Sequence, residues 1–349
     1  MSAGTLAADI TVPFFGALLC VTPAITRPTV QFGVRVPAER TGAPVIRQQR
    51  RAYYWRTAAV GVCCTAAVLL VGKHGQWWLT RLILLLEIAA DLGCMVLARK
   101  KIAAAKQAGD WFAGLRQTVV ADTSWRADPP RFPARWLIPA LAVTAATVVI
   151  GALRDRGNTV AFAGGQLYVT ALWTGMLLLV YHSRPDLEAA DAAASAARYR
   201  RFLAAFARAM LALVALVNLT LLLAALRTWH VYRPSGVGAA LPLLPFAAGL
   251  ILLGAVVVRT GQAGFRLRGG GDRGADTAAG ANARTDRDDD RFWKDGLIYV
   301  NRDDPALVVG ARFGVGWTLN LGNRTSWLVI AAVVAVPAGL AALKAAIGL

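Results

Sequence analysis

LILLLEIAADLGCMVLARKK, Leu82–Lys101, decides how the chain is read. Seventeen residues run without a basic side chain, almost all apolar, and then three cations follow in a row. Such a run is long enough to cross most of a hydrocarbon layer of about 30 Å as a helix rising about 1.5 Å per residue. The terminal RKK marks where that helix leaves the layer. Only Glu87 and Asp91 interrupt it, and a soluble helix would expose far more charge.

The same pattern recurs along the 349 residues, which are 56% hydrophobic and only 17% charged. Apolar stretches fall at 5–25, 57–72, 79–98, 136–153, 161–182, 206–226, 240–258 and 327–347. Backbone groups in lipid must be satisfied within each segment, so these read as helices. The expected fold class is an all-α membrane protein of about eight transmembrane helices, with a small cytoplasmic interfacial motif before the last. Residues 1–258 would form a seven-helix membrane domain, 259–290 a flexible cytoplasmic linker, 291–326 the small motif and 327–349 the eighth helix. Residues 1–12 lack a basic leader and Asp9 interrupts the first apolar run, so 5–25 reads as a retained span.

The net charge of +18 has a definite distribution. Segments 26–56, 99–135, 183–208 and 259–326 hold 31 of the 38 Lys and Arg. These are the odd-numbered loops, and an excess of cations marks the cytoplasmic side. Both termini are then expected to be extracytoplasmic. The basicity reads as a topology signal with attraction to anionic lipid at the inner face, and no nucleic-acid partner is expected.

Within the loops, RPTVQFGVRVPAERTGAPVIRQQRRAYYWR (27–56) shows short extended pieces broken by prolines, then a basic helical lead-in. RKKIAAAKQAGDWFAGLRQ (99–117) reads as an amphipathic continuation of the third span, with Trp111, Phe112 and Leu115 toward the membrane surface. DLEAADAAASAARYRRFLAAFAR reads as an Ala-rich helix entering span six. GGGDRGADTAAGANARTDRDDD (269–290) is too poor in hydrophobics to bury a core and reads as linker.

Two constellations could carry chemistry. Glu87 and Asp91, four apart, share one helix face. Ionisable groups at mid-membrane face a bundle interior or water, and like charges this close favour a shared proton. The pair is a candidate proton or cation site; the structural alternative is hydrogen bonding to Thr or Asn of neighbouring helices, with Asn218 the named partner. The second constellation is RFWKDGLIYVNRDDPALVVGARFGVGWTLNLGNRTSW, 291–327. Leu297–Asn301 and Ala306–Val309 alternate as short strands around a turn at 301–305, predicting a hairpin or compact loop. Trp293, Trp317 and Trp327 would anchor it at the membrane interface. Trp293, Tyr299, Asp303, Asp304, Arg312, Phe313, Trp317 and Asn320 form a candidate docking surface for a membrane or cytoplasmic protein partner.

No metal or cofactor site is expected. His74, His182 and His230 are scattered, Cys63–Cys64 have no ligand spacing, and Gly314-Val315-Gly316 lacks the third glycine of a dinucleotide loop. The sequon Asn323-Arg324-Thr325 falls on the expected cytoplasmic side.

FGVRVPAER, DTSWRADPPRFP and the segment from Arg291 to Leu321 together resemble a group of uncharacterised bacterial multi-pass membrane proteins. These carry domain of unknown function 1648, shared with immunity proteins of the SdpI type, and end in domain of unknown function 5808. The resemblance implies a non-catalytic accessory, sensor or immunity-type factor. One departure stands out: the 1648-type domain has a longer extracytoplasmic loop bearing a histidine, whereas here the corresponding segment is only RDRGNTVA, 154–161. A small transporter or ion-coupled carrier using Glu87 and Asp91 is the rival expectation.

Overall fold

The structure is a computed structural model of the chain. It describes residues 16–72, 77–113, 129–154, 156–183, 192–232, 241–267 and 289–346. Asp9, His74, Leu115, most of DTSWRADPPRFP and the body of the linker lie outside the described residues.

Eight helices are present among the described residues. They are α1 (Gly16–Ile25), α2 (Pro44–Gly72), α3 (Trp77–Ala108), α4 (Ile138–Arg154), α5 (Arg156–His182), α6 (Ala192–Thr228), α7 (Leu244–Thr260) and α8 (Arg324–Ala346). Five stretches are long and apolar enough to cross a membrane: Pro44–Val71, Ala134–Arg154, Asn158–His182, Ala194–Thr228 and Leu241–Gly264. Of the other three expected spans, Gly16–Ile25 and Arg324–Ala335 form shorter apolar helices, and α3 carries Arg81, Glu87 and Asp91 in its apolar part. Large apolar side chains such as Val62, Leu70, Leu85, Leu153, Ile251 and Leu328 are exposed on these helices. That pattern is inverted for a water-soluble bundle and fits a membrane-embedded one.

α6 is the axis of the larger helical group. It packs against α4, α5 and α7, and its apolar stretch is the most buried of the five. Tyr199, Phe202, Leu203, Phe206, Met210 and Leu211 form its core face, meeting Leu177 and Tyr181 of α5. α8 reaches this group through Tyr168, whose hydroxyl donates to the Val333 carbonyl at 2.9 Å. α2 and α3 pair with each other, and Tyr53, Met95, Ala98 and Ile102 close their common core.

Three corrections to element boundaries have local causes. α5 begins at Arg156, so most of RDRGNTVA is its first turns and not a loop. α3 ends at Ala108, before Trp111 and Phe112, because Asp110 adopts a left-handed conformation at φ 41°. The chain then folds back, with the Trp111 amide donating to the Lys106 carbonyl at 3.2 Å, and Trp111 packs on the α2–α3 core instead of extending an amphipathic helix. Residues 259–264, expected as the start of a linker, are folded: α7 runs to Thr260, and 262–264 form a 3-10 turn.

Three small antiparallel hairpin pairs complete the described fold. β1 (Val30–Gln31) pairs with β2 (Val34–Arg35) inside the first loop. β3 (Trp293–Lys294) pairs with β4 (Ile298–Tyr299), and β5 (Val308–Gly310) with β6 (Trp317–Leu319). The C-terminal motif is thus two hairpins where the sequence suggested one, joined by a bridge between Tyr299 and Asn320.

Candidate functional site

The C-terminal motif is organised by one side chain. Asn320 is fully buried, and its Oδ1 accepts from the amides of Asn301 and Gly322, each at 3.0 Å. Its Nδ2 donates to the carbonyls of Asn301 at 2.8 Å, Asp304 at 3.0 Å and Ala306 at 3.2 Å. An amide offers both donors and acceptors, so it can replace the missing strand ladder of an irregular turn, which no aliphatic residue can do. Around it, the Tyr299 hydroxyl donates to Asp304 at 3.0 Å, and Asn301 Oδ1 receives the Asp303 amide at 3.0 Å. Asp303 itself is exposed. Asn323 starts α8 by accepting from the Thr325 amide at 3.0 Å, so the sequon asparagine serves as a helix cap.

This motif is a cap over one end of the helices, and its polar contacts run to each basic loop. Arg312 is buried, forms an ion pair with Asp290, and donates to the Gly33 carbonyl at 3.2 Å. Lys106, at the end of α3, reaches Asp290 from the other side at 2.5 Å. Arg99 of α3 donates to the Gly33 carbonyl at 2.8 Å and to the Trp293 carbonyl at 3.3 Å. Burial alone would raise the Asp290 carboxyl, but Arg312 and Lys106 outweigh it and hold it below the ordinary carboxylate range. The Arg312 guanidinium also lies 4.8 Å from the centre of the Trp293 ring.

The two turns facing each other here both need left-handed backbone. Phe32 and Gly33 have φ of 49° and 77°, and Asp295 and Gly296 have φ of 48° and 74°. Positive φ at both central residues is the signature of a type I′ turn; two residues, 32–33, close the first hairpin, and three, 295–297, close the second. A Cβ on Gly33 would stand 2.8 Å from the Gly296 Cα, so the turns meet backbone to backbone. Phe313 stacks on Phe32 at 6.3 Å beside this contact.

On the opposite flank, the Trp317 indole donates to the Tyr199 hydroxyl at 3.0 Å, and its ring packs on Phe202 and Phe206 of α6. Gln262 joins the remaining ends: its Nε2 donates to the Ala311 carbonyl, and its Oε1 accepts from the Arg27 amide at 3.0 Å. Trp293 is therefore buried within the cap, and Trp317 is half-buried against α6. Trp327, the third expected anchor, is 57% exposed. Of the docking residues proposed from sequence, Tyr299, Arg312 and Asn320 are consumed within the cap.

The second constellation lies in the helices. Glu87 and Asp91 are 0% and 1% exposed, and none of their four oxygens has a hydrogen-bond partner among the described residues. An ionised group at mid-membrane costs about 2.5–3.5 kcal/mol on insertion scales, so two unpaired charges side by side are strongly disfavoured. Asn218 is not their partner. Its Nδ2 donates to the Ala140 carbonyl at 3.2 Å, Thr144 at 3.3 Å and Thr170 at 3.0 Å. Gln166 joins the same network by donating to Thr147 and to the Asn218 carbonyl, both at 2.9 Å. This cluster welds α4, α5 and α6, a structural role typical of buried amides between membrane helices.

No group of three or more potential metal ligands occurs among the described residues, and Cys20, Cys63, Cys64 and Cys94 are free thiols. Sequence reading missed Arg99, Lys106, Asp290 and Gly33. The Phe-Gly pair between two short apolar pieces was the available signal for the first hairpin.

No curated protein and no solved structure matches the chain. Residues 302–327, the stretch built around Asn320, match the model of a family of unknown function, DUF5808; the 1648-type resemblance is not carried by that match.

Proposed function

We propose that this chain is an eight-span protein of a bacterial inner membrane, acting without catalysis as an accessory, sensing or immunity-type factor. The cap is the observation that supports this reading. It gathers Arg27 and Gly33 of the first loop, Arg99 and Lys106 of the third, Tyr199 of the fifth and Gln262 to Arg312 of the seventh. These are the four cation-rich segments, and their meeting on one face agrees with cytoplasmic placement of all of them. Such a cap sets how the α2–α3 pair and the α6 group stand relative to each other, which suits a protein that reports or resists a perturbation of the membrane. Anionic lipid at the inner surface and a protein partner on the cap's exposed edge, where Asp303 lies, complete the proposal.

The test is a deletion strain challenged with membrane-active peptides and protein toxins, complemented by wild type and by an Arg312→Ala variant. Heightened sensitivity rescued only by wild type is the expected result; unchanged sensitivity overturns the immunity-type reading. Cysteine labelling at Thr277, outside the described residues, checks orientation, and labelling from outside intact cells overturns it. The second reading, an ion-coupled carrier, is favoured by the Glu87 and Asp91 carboxyls, buried without a hydrogen-bond partner among the described residues. Loss of uptake or efflux in vesicles of the deletion strain would support it.

A further inference from the structure

The carboxyl pair sits at a seam of three helices. A Cβ on Gly16 of α1 would come within 2.6 Å of Glu87 Oε1, and one on Gly61 of α2 within 3.7 Å. Two neighbouring helices therefore close over the Glu87 carboxyl with glycines: a Cβ at position 16 would force the carboxyl to move, and one at position 61 would rest on it in ordinary contact. The four oxygens of the pair are buried and have no partner among the described residues.

Among the described residues, the groups around them offer no counter-charge at contact distance. Tyr53 of α2 lies near Asp91, but its hydroxyl donates to the Leu19 carbonyl at 2.9 Å. Among the described residues, Cys64 of α2, Cys94 of α3 and Cys20 of α1 are also titratable groups nearby, and these are thiols. Arg56 of α2 acts on the Cys94 side of α3, but its side chain is exposed and it forms no ion pair with either carboxylate. A sodium or calcium ion takes a shell of oxygen ligands, typically six or more for calcium. Among the described residues, the closed seam supplies carboxyl oxygens backed by glycine and thiols, which is not such a shell. Carboxyls in this setting are stable when neutral.

We propose that Glu87 and Asp91 form a proton-binding site at the α1–α2–α3 seam: the closed seam holds them protonated, and a proton leaves only when the helices part and water enters. No bond other than O–H is made or broken, and the released proton passes to water. The inference goes beyond the accessory reading and deepens the carrier reading by naming the ion as H⁺. It does not require transport.

Infrared spectroscopy of the full-length protein in lipid nanodiscs tests it. At neutral pH, exposed carboxylates are ionised, so a protonated-carboxyl C=O band that shifts in D₂O reports buried acids. The wild type should show this band, Glu87→Gln and Asp91→Asn should each diminish it, and the double variant should abolish it. Because the amides mimic neutral acids, the single variants should keep the wild-type elution volume and melting temperature. Absence of the band in folded wild-type protein overturns the proposal, as does a band unchanged in both single variants. Loss of the band on adding sodium chloride at fixed pH overturns it in favour of a metal-cation site. A band present while vesicles show no proton-linked uptake upholds the site and counts against the carrier reading alone.

Discussion

Replacing Asn320 by Ala should open the cap while leaving the helices closed. The side chain makes five hydrogen bonds, and two of them, with the amide and the carbonyl of Asn301, are wholly buried. Truncation orphans both of these groups, at about 1–3 kcal/mol each. The partners at Gly322, Asp304 and Ala306 are part-buried and can turn to water, so they add little. The total is roughly 2–6 kcal/mol, or about thirty-fold and upward in the opening equilibrium of this unit. Hydrogen–deuterium exchange of the full-length protein in detergent reads it directly, comparing peptides over 299–326 with peptides over α6. Asn320→Ala should accelerate the former and spare the latter. Asn320→Asp keeps the acceptors but sets a carboxylate against three carbonyls, and should be at least as disruptive. Wild-type exchange in the cap of Asn320→Ala would refute the reasoning. So would equal acceleration in α6, because the cap would then not be a separable unit.

Gly33→Ala should loosen the docking of the first loop. Left-handed backbone costs a residue with a Cβ about 1–2 kcal/mol, and this Cβ would also lie 2.8 Å from the Gly296 Cα. Faster protease cleavage around residues 289–300 than in wild type, with Gly42→Ala unaffected, is the expected outcome. The third prediction concerns pH. The Asp290 carboxyl is held low in the folded state, so its stabilisation is present above the unfolded carboxylate value of about 3.9 and lost as pH falls through the folded value. Cap docking, followed by tryptophan fluorescence, should stay constant from neutral pH to about pH 5 and weaken below about pH 4. Asp290→Asn should remove that acid-side transition.

The helices were legible because hydrophobic run length is a local property, and so was the extended, proline-broken character of the first loop. Boundaries moved where a single backbone conformation intervened, as at Asp110. What could not be read was pairing between distant segments. Asn218 and the carboxyl pair are equally plausible neighbours in one dimension, and only packing assigns Asn218 to Thr144 and Thr170 instead. Trp293 and Trp317 carry the composition of interfacial anchors, yet the cap has interior surface to cover, and they cover it. The turn between the two hairpins is held by five hydrogen bonds made by Asn320, a specification that no alternation pattern contains.

The meeting of Gly33 and Gly296 also bears on how the molecule is made. Those turns are separated by most of the chain, so the first hairpin emerges from the ribosome long before its cover exists. Until Trp293, Asp290 and Arg312 have been synthesised, Phe32 and the Gly33 carbonyl can be met only by elements of the N-terminal part, such as Tyr53 and Arg99. Loop-closure entropy grows only slowly with length, so the wait costs little at equilibrium, but it makes cap closure a late event in assembly. A chain that ends before residue 290 lacks Asp290, Trp293 and Arg312, so its Gly33 carbonyl keeps Arg99 as a donor and loses Arg312.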